Sequence, residues 1–362
     1  MFYDTISRAP EKISIVNKYY KKHAAKIKRS YCLFLHKMGL LKPFSFVMWL
    51  ATYKCNCTCP FCEASAGEAH PDELTTLEAK ALIDDLAQMG VKRFLISGGE
   101  PLERPDIIEL MEYANRRKLN LGLVSNGYRV EELWKGLSRF NYSIYFTSID
   151  GLAPYHDKMR GKANAFSHAI KSLELFEQKK VKIRMVNTVV HPGNIHQMEP
   201  LLKMLKDGPA NLWHLCPAAK VGRAENDSFS LSGKELRYLS EFIKGNRKVM
   251  NLDFGESYAY LWCFDGSFAG KAFFCGAGLV RCSVMPDGEV LGCHQVYDKA
   301  YSEGNIRNKS FSKIWKEEFS SFRKKEFRSS CKKCEHFYAC QGGCWGKIEK
   351  QGACLKGSWH KK

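Results

Sequence analysis

Fifteen of the 362 residues are cysteine, and they cluster. The run Cys55-Asn-Cys-Thr-Cys59-Pro-Phe-Cys62 gives C-x3-C-x2-C when read as Cys55, Cys59 and Cys62. Farther on come Cys275 and Cys293, then Cys331-x2-Cys334-x5-Cys340-x3-Cys344, then Cys354. Thiolates this dense are metal or iron–sulfur ligands. Three in one loop are one short of the four that close a four-iron cluster, which leaves one iron open to a substrate or cofactor, as in an open zinc site. A zinc ribbon would show two matched C-x2-C pairs, and C-x2-C-x5-C-x3-C is not a common zinc pairing.

Composition narrows the setting. Apolar residues are 45% and charged residues 26%, as in a folded chain rather than a disordered one. No apolar run approaches the length of a membrane span, and no secretion leader opens the chain. An odd number of cysteines without such a leader argues against a disulfide framework and for a reducing, cytoplasmic setting. The net charge is +18. Ten Lys/Arg face only Asp4 and Glu11 in residues 1–42, and nine Lys/Arg face three Glu in residues 309–333. Such charge attracts acidic peptides or other carboxylate-bearing molecules, although solvated surface is the plainer reading. Nucleic acid is not expected, because no RNA-binding module accompanies the charge.

The cysteines need elements to position them. Ile13–Leu41 mixes aromatics with lysines, as an amphipathic surface helix packed on the main domain would. From Phe46 onward strand-like runs alternate with helical ones. Strands are expected at Phe46–Tyr53, Phe94–Ile96, Leu119–Val124, Ser143–Ile149, Val181–Val190 and Asn211–Cys216. Helices are expected at Thr75–Met89, Asp106–Lys118, Val130–Phe140, Asn164–Lys179 and Ile195–Leu205. Thr75 and Glu78 have capping-box spacing, and Gly90 is a stop. These repeating units predict an α/β fold, a partial (β/α)6 barrel with a parallel sheet and helices outside. Four segments follow: a basic helical lead-in over 1–42, the barrel over 43–216, a connector over 217–270 with one clear helix at Gly233–Lys244, and a small cysteine-rich domain over 271–362. The last has too little apolar sequence for a large core and would need metal staples.

The cysteine loop after the first strand, with Phe61 before Cys62, resembles the signature of radical S-adenosylmethionine (SAM) enzymes. Further landmarks stand at successive strand ends: Gly98-Gly99-Glu100-Pro101, Ser125-Asn126-Gly127, Ser148-Ile149-Asp150-Gly151 and His156–Gly161. The resemblance implies that Cys55, Cys59 and Cys62 hold the SAM-binding 4Fe-4S cluster, with Cys57 an interloper. It implies SAM contacts from Phe61, Gly98, Gly99, Glu100, Ser125, Asn126, Ser148 and Asp150, with Arg160 on the SAM carboxylate and Leu215 and Val190 beside the adenine.

The C-terminal cysteines, with Gly288 between the first two, resemble the seven-cysteine SPASM extension, which carries two auxiliary 4Fe-4S clusters. That resemblance implies Cys331, Cys334, Cys340 and Cys354 for the outer cluster and Cys275, Cys293 and Cys344 for the inner one. Cys263 is the first choice for a fourth inner ligand and Cys282 the second, while an inner cluster with an open iron stays possible. Cys32 and Cys216 read as inert buried thiols.

The implied chemistry is one-electron cleavage of SAM to a 5′-deoxyadenosyl radical, which takes hydrogen from an unactivated position. SPASM relatives mostly modify peptides or proteins by cross-linking, epimerisation or oxidation; others act on tetrapyrroles or amino-sugars. The expected partners are a peptide or protein substrate, a reductant such as flavodoxin or ferredoxin and, since only 42 residues precede the barrel, a separate leader-binding protein or direct binding by the barrel. His294 stands where sulfatase-type maturases tend to have Asp, which demotes that branch. Tyr258, Tyr260, His294 and Cys282 are candidate proton or hydrogen donors, each more often structural, and no catalytic base is assigned. A non-enzymatic iron–sulfur carrier is the reading outside enzymology; SAM binding that depends on the first cysteine triad excludes it.

Overall fold

The computed structural model describes residues 14–43, 46–225, 227–255, 274–293 and 295–346. Cys263, Cys354, His294, Tyr258 and Tyr260 lie outside these.

Strand β1 (Phe46–Leu50) begins a sheet continued by β2 (Phe94–Ser97), β3 (Leu121–Val124), β4 (Tyr142–Ser148), β5 (Arg184–Val190) and β6 (Leu212–Pro217). Each pairs in parallel with the next. Helices Thr76–Gln88, Ile107–Arg116, Ala165–Gln178 and Met198–Leu205 cross over between them, as a parallel sheet requires. The capping box at Thr75 and Glu78 forms, and Gly90 turns the chain at φ +68°. Val47, Trp49, Phe94, Ile96, Leu121, Leu123, Tyr145, Val186 and Trp213 are all fully buried in one core with the helices. Strand side chains alternate in direction, so the intervening residues face the other side of the sheet.

Two expectations change. Val130–Phe140 is mostly turns around a short helix, Trp134–Leu137. Gly136 weakens the helix, and Arg129 is drawn off to the Leu102 carbonyl at 2.7 Å. The sheet also runs past Cys216 at both edges. β7 (Leu252–Phe254), inside the expected connector, pairs with β6. On the other edge β8 (Arg281–Val284) pairs in parallel with β1, and β9 (Glu289–Leu291) and β10 (Ser302–Asn305) follow antiparallel. The cysteine-rich segment thus covers the unpaired backbone that β1 would otherwise present.

Helix Ser14–Lys37 packs against the cysteine-rich segment, with Ala25 and Cys32 buried. Trp315 Nε1 donates to the Leu41 carbonyl at 2.9 Å and holds the end of this lead-in.

Candidate functional site

The loop leaving β1 carries Cys55, Cys57, Cys59 and Cys62. Its backbone is pinned from several directions. Cys55 N–H donates to the Gly67 carbonyl at 2.8 Å, and Cys62 N–H to the Cys59 carbonyl at 3.3 Å. Thr58 N–H donates to the Arg160 carbonyl at 2.9 Å. Arg223, in the turn after β6, donates from Nε to the Cys59 carbonyl at 2.7 Å and from Nη1 to the Ala66 carbonyl at 2.6 Å. The sequence reading passed over Arg223; its only signal is a basic residue beside Gly222 after the last expected strand.

Cys57, Cys59 and Phe61 join Met159 and Ala224 in a small apolar knot, and Cys55, Cys62 and Val189 pack against it. Among the described residues no three His, Cys, Asp or Glu side chains converge as they would on a single metal ion. The donor set is instead three thiols on one short loop around an apolar floor, which suits a cluster of soft metal. Cys57 is turned into the wall. It is 2% exposed, accepts from Asn126 Nδ2 at 3.4 Å and is hydrogen-bonded to Cys55, a contact that lowers the Cys55 pKa and raises its own.

Gly98 and Gly99 let two backbones meet. Gly98 has φ +152°, and a Cβ on Gly99 would sit 2.6 Å from the Tyr53 carbonyl oxygen. Gly99 N–H reaches Thr52 O and Glu100 N–H reaches Lys54 O, both at 2.8 Å, so this segment braces the cysteine loop. The Glu100 carboxyl is fully buried. It accepts from Ser125 Oγ at 2.8 Å, Asn126 N–H at 2.7 Å and Leu102 N–H at 3.1 Å. Burial pushes its pKa up to about 8 against the pull of those donors.

Arg160 and Asp150 form the charged wall. Arg160 Nη2 lies 2.5 Å from Asp150 Oδ2, Nη1 donates to Cys59 Sγ at 3.5 Å, and the guanidinium stands 5.7 Å from the Phe61 ring centroid. Asp150 Oδ1 takes the Val189 N–H at 3.0 Å, fixing the pair to β5. Arg160 Nε is buried and makes no hydrogen bond among the described residues. His191 was not anticipated: its ring lies 5.7 Å from Phe61 and its Nε2 is 3.3 Å from Tyr155 Oη.

Ser148 is register partner to Asn187, and Asn187 to His214, on the face that Val189 shares with the thiol loop. Leu215 and Val190 differ from expectation. Both side chains are fully buried in the helix-side core, because alternation sends His214 and Cys216 to the thiol side instead. His214 Nδ1 is 3.5 Å from Asp253 Oδ2. Burial lowers the imidazole pKa, but Asp253 and Cys216 outweigh it and raise it to about 10. Cys216 is thus a buried thiol beside a charged pair.

In the C-terminal segment Cys293 and Cys344 are 6% and 8% exposed, and the charges of Cys344 and Cys275 both act on Cys293. Cys331, Cys334 and Cys340 lie on consecutive turns, with Cys334 N–H on the Cys331 carbonyl at 3.0 Å and Phe337 N–H on the Cys334 carbonyl at 3.0 Å. Cys282 is fully buried in β8 opposite Val47, and burial raises its thiol pKa.

The radical SAM superfamily profile matches residues 49–205, and an iron–sulfur cluster-binding domain, SPASM, matches residues 275–335. The mycofactocin maturase MftC of Mycolicibacterium smegmatis is 31% identical over 307 residues, covering 82% of this chain and 76% of that protein. The AdoMet-dependent heme synthase of Oleidesulfovibrio alaskensis is 29% identical over 328 residues, covering 82% of this chain and 81% of that protein. Among solved structures, Streptococcus suis SuiB bound to S-adenosylmethionine has the same fold, with TM-score 0.69 and 19% identity over 92% of this chain and 78% of SuiB.

Proposed function

Because the chain belongs to the radical SAM superfamily and carries a SPASM domain, we propose that it reductively cleaves SAM and takes hydrogen from a peptide or protein, installing a cross-link, epimerisation or oxidation. The observation that carries this is the 31% identity to a mycofactocin maturase over most of both chains.

In this reading Cys55, Cys59 and Cys62 hold the SAM-binding cluster, Cys275, Cys293 and Cys344 with Cys263 the inner auxiliary cluster, and Cys331, Cys334, Cys340 and Cys354 the outer one. The first cluster and SAM together supply a one-electron cleavage of the C5′–S bond. The protein's part is positioning. Arg223, Thr58 and Gly99 fix the thiol loop, and the Arg160 guanidinium, held beside Cys59, is the group for the SAM carboxylate. Phe61, Met159 and Val189 keep the reacting region apolar and dry. Electrons come from a reductant such as flavodoxin or ferredoxin, and the peptide is held either by a separate leader-binding protein or by the barrel itself.

A second reading takes a tetrapyrrole as substrate. It draws support from the heme synthase relatives and from the basic residues of 309–333, which suit propionate side chains. One experiment separates the two. Anaerobically reconstituted, reduced protein receives SAM with either a short peptide encoded beside its gene or an iron coproporphyrin. We expect 5′-deoxyadenosine together with a mass change on the peptide. A mass change on the porphyrin alone selects the second reading, and no 5′-deoxyadenosine under any condition defeats both.

A further inference from the structure

The basic lead-in helix has a specific address. Arg29 reaches from Ser14–Lys37 into the cysteine-rich segment, where Nη2 donates to the Phe322 carbonyl at 2.6 Å and to the Arg323 carbonyl at 3.5 Å. Its guanidinium lies 5.8 Å from the Phe327 ring centroid. A small void between helix and segment is walled by Arg29, Cys275, Phe322, Lys325, Gln341 and Trp345. No carboxylate among the described residues acts on this half-buried cation, and Cys275 lines the same void. A shielded guanidinium without an anion is costly, and Arg29 shares its void with a thiol of the second cysteine set.

That set fits a cluster at this place. Cys344 and Cys275 both act electrostatically on Cys293, and Gly346, where an added Cβ would stand 3.5 Å from Cys293 Sγ, packs directly beside that thiol. A thiolate-ligated iron–sulfur cluster gains negative charge on reduction, and its potential follows nearby charge and solvent exposure.

We propose that Arg29 is the fixed counter-charge of an iron–sulfur cluster held at Cys275, and that helix Ser14–Lys37 roofs that cluster against water. The proposal rests on the reading of Cys275, Cys293 and Cys344 as cluster ligands. Arg29 is a positioning residue: its cation favours the reduced, more negative state and so raises the midpoint potential.

The test is an EPR-monitored redox titration of reconstituted protein in which Cys55, Cys59 and Cys62 are all alanine, so that the remaining signals come from auxiliary centres. Arg29→Gln is expected to move one of these midpoints to a more negative potential. Arg29→Lys, which keeps the charge, is expected to stay near wild type. Loss of that one signal in Arg29→Gln, with its return in Arg29→Lys, supports the same role. Iron and sulfide analysis of a Cys275→Ala/Cys344→Ala variant separates the layers of the argument. An unchanged count there removes the cluster and the proposal with it. A normal count in Arg29→Gln with an unmoved potential removes the role of Arg29 alone.

Discussion

Arg223 Nε donates to the carbonyl of Cys59 at 2.7 Å, across 164 residues of sequence. The turn closing the last β/α unit thereby holds the loop opening the first. Two bonds from one charged donor to backbone carbonyls contribute about 1–3 kcal/mol. Arg223→Gln is expected to lose about that much stability in urea unfolding. It should also retain several-fold less iron at the first cluster after anaerobic gel filtration. Wild-type iron content in that variant would mean the loop holds its shape unaided.

Cys57 and Cys59 are two residues apart but face different partners. Cys59 Sγ meets Arg160, whereas Cys57 Sγ is hydrogen-bonded to Asn126 and Cys55. Cys59→Ala is expected to remove about four iron atoms per chain, the content of one 4Fe-4S cluster. Cys57→Ala is expected to keep them. Iron assay with Mössbauer or EPR spectra of the two variants decides which thiols are ligands.

Asp150 is fully buried, and Arg160 is 8% exposed. Removing one charge of such a pair leaves the other desolvated, at a cost of about 3–5 kcal/mol. Asp150→Asn is expected to destabilise by that amount and to weaken SAM binding about ten-fold or more, read by chemical denaturation and calorimetry. An unfolded Asp150→Asn leaves Arg160→Lys as the second probe, which keeps charge but loses the fork and should weaken SAM binding with little change in stability.

His214 supplies a pH dependence. Its pKa rises from 6.5 to about 10 in the fold. A group whose folded pKa is raised contributes stability that is complete below its unfolded value and disappears as pH climbs through the folded one. Wild-type protein should therefore lose stability between about pH 7 and 10 relative to His214→Gln. Asp253 is 56% exposed, so high salt should flatten the difference. Parallel unfolding curves for both proteins across this range would remove the charged imidazole from the account.

The sequence carries much of this protein in local form. Thr75 and Glu78 cap their helix as their spacing requires, and Gly90 ends it, because capping involves atoms three or four residues apart. The thiols of Cys55, Cys59 and Cys62 share one loop, so chain connectivity alone keeps them together. Packing against distant segments set the rest. Leu215 and His214 are adjacent, and only the alternation of β6 against the helix Gly233–Asn246 decided that Leu215 enters the core while His214 meets Asp253. β8 is a four-residue strand whose partner, β1, lies more than two hundred residues earlier, and no local pattern encodes that pairing. Arg29 on Phe322 and Arg223 on Cys59 are of the same kind. A side chain reaching a backbone carbonyl leaves no mark on the identity of the residue it reaches, so such contacts come into view only when the chain is folded.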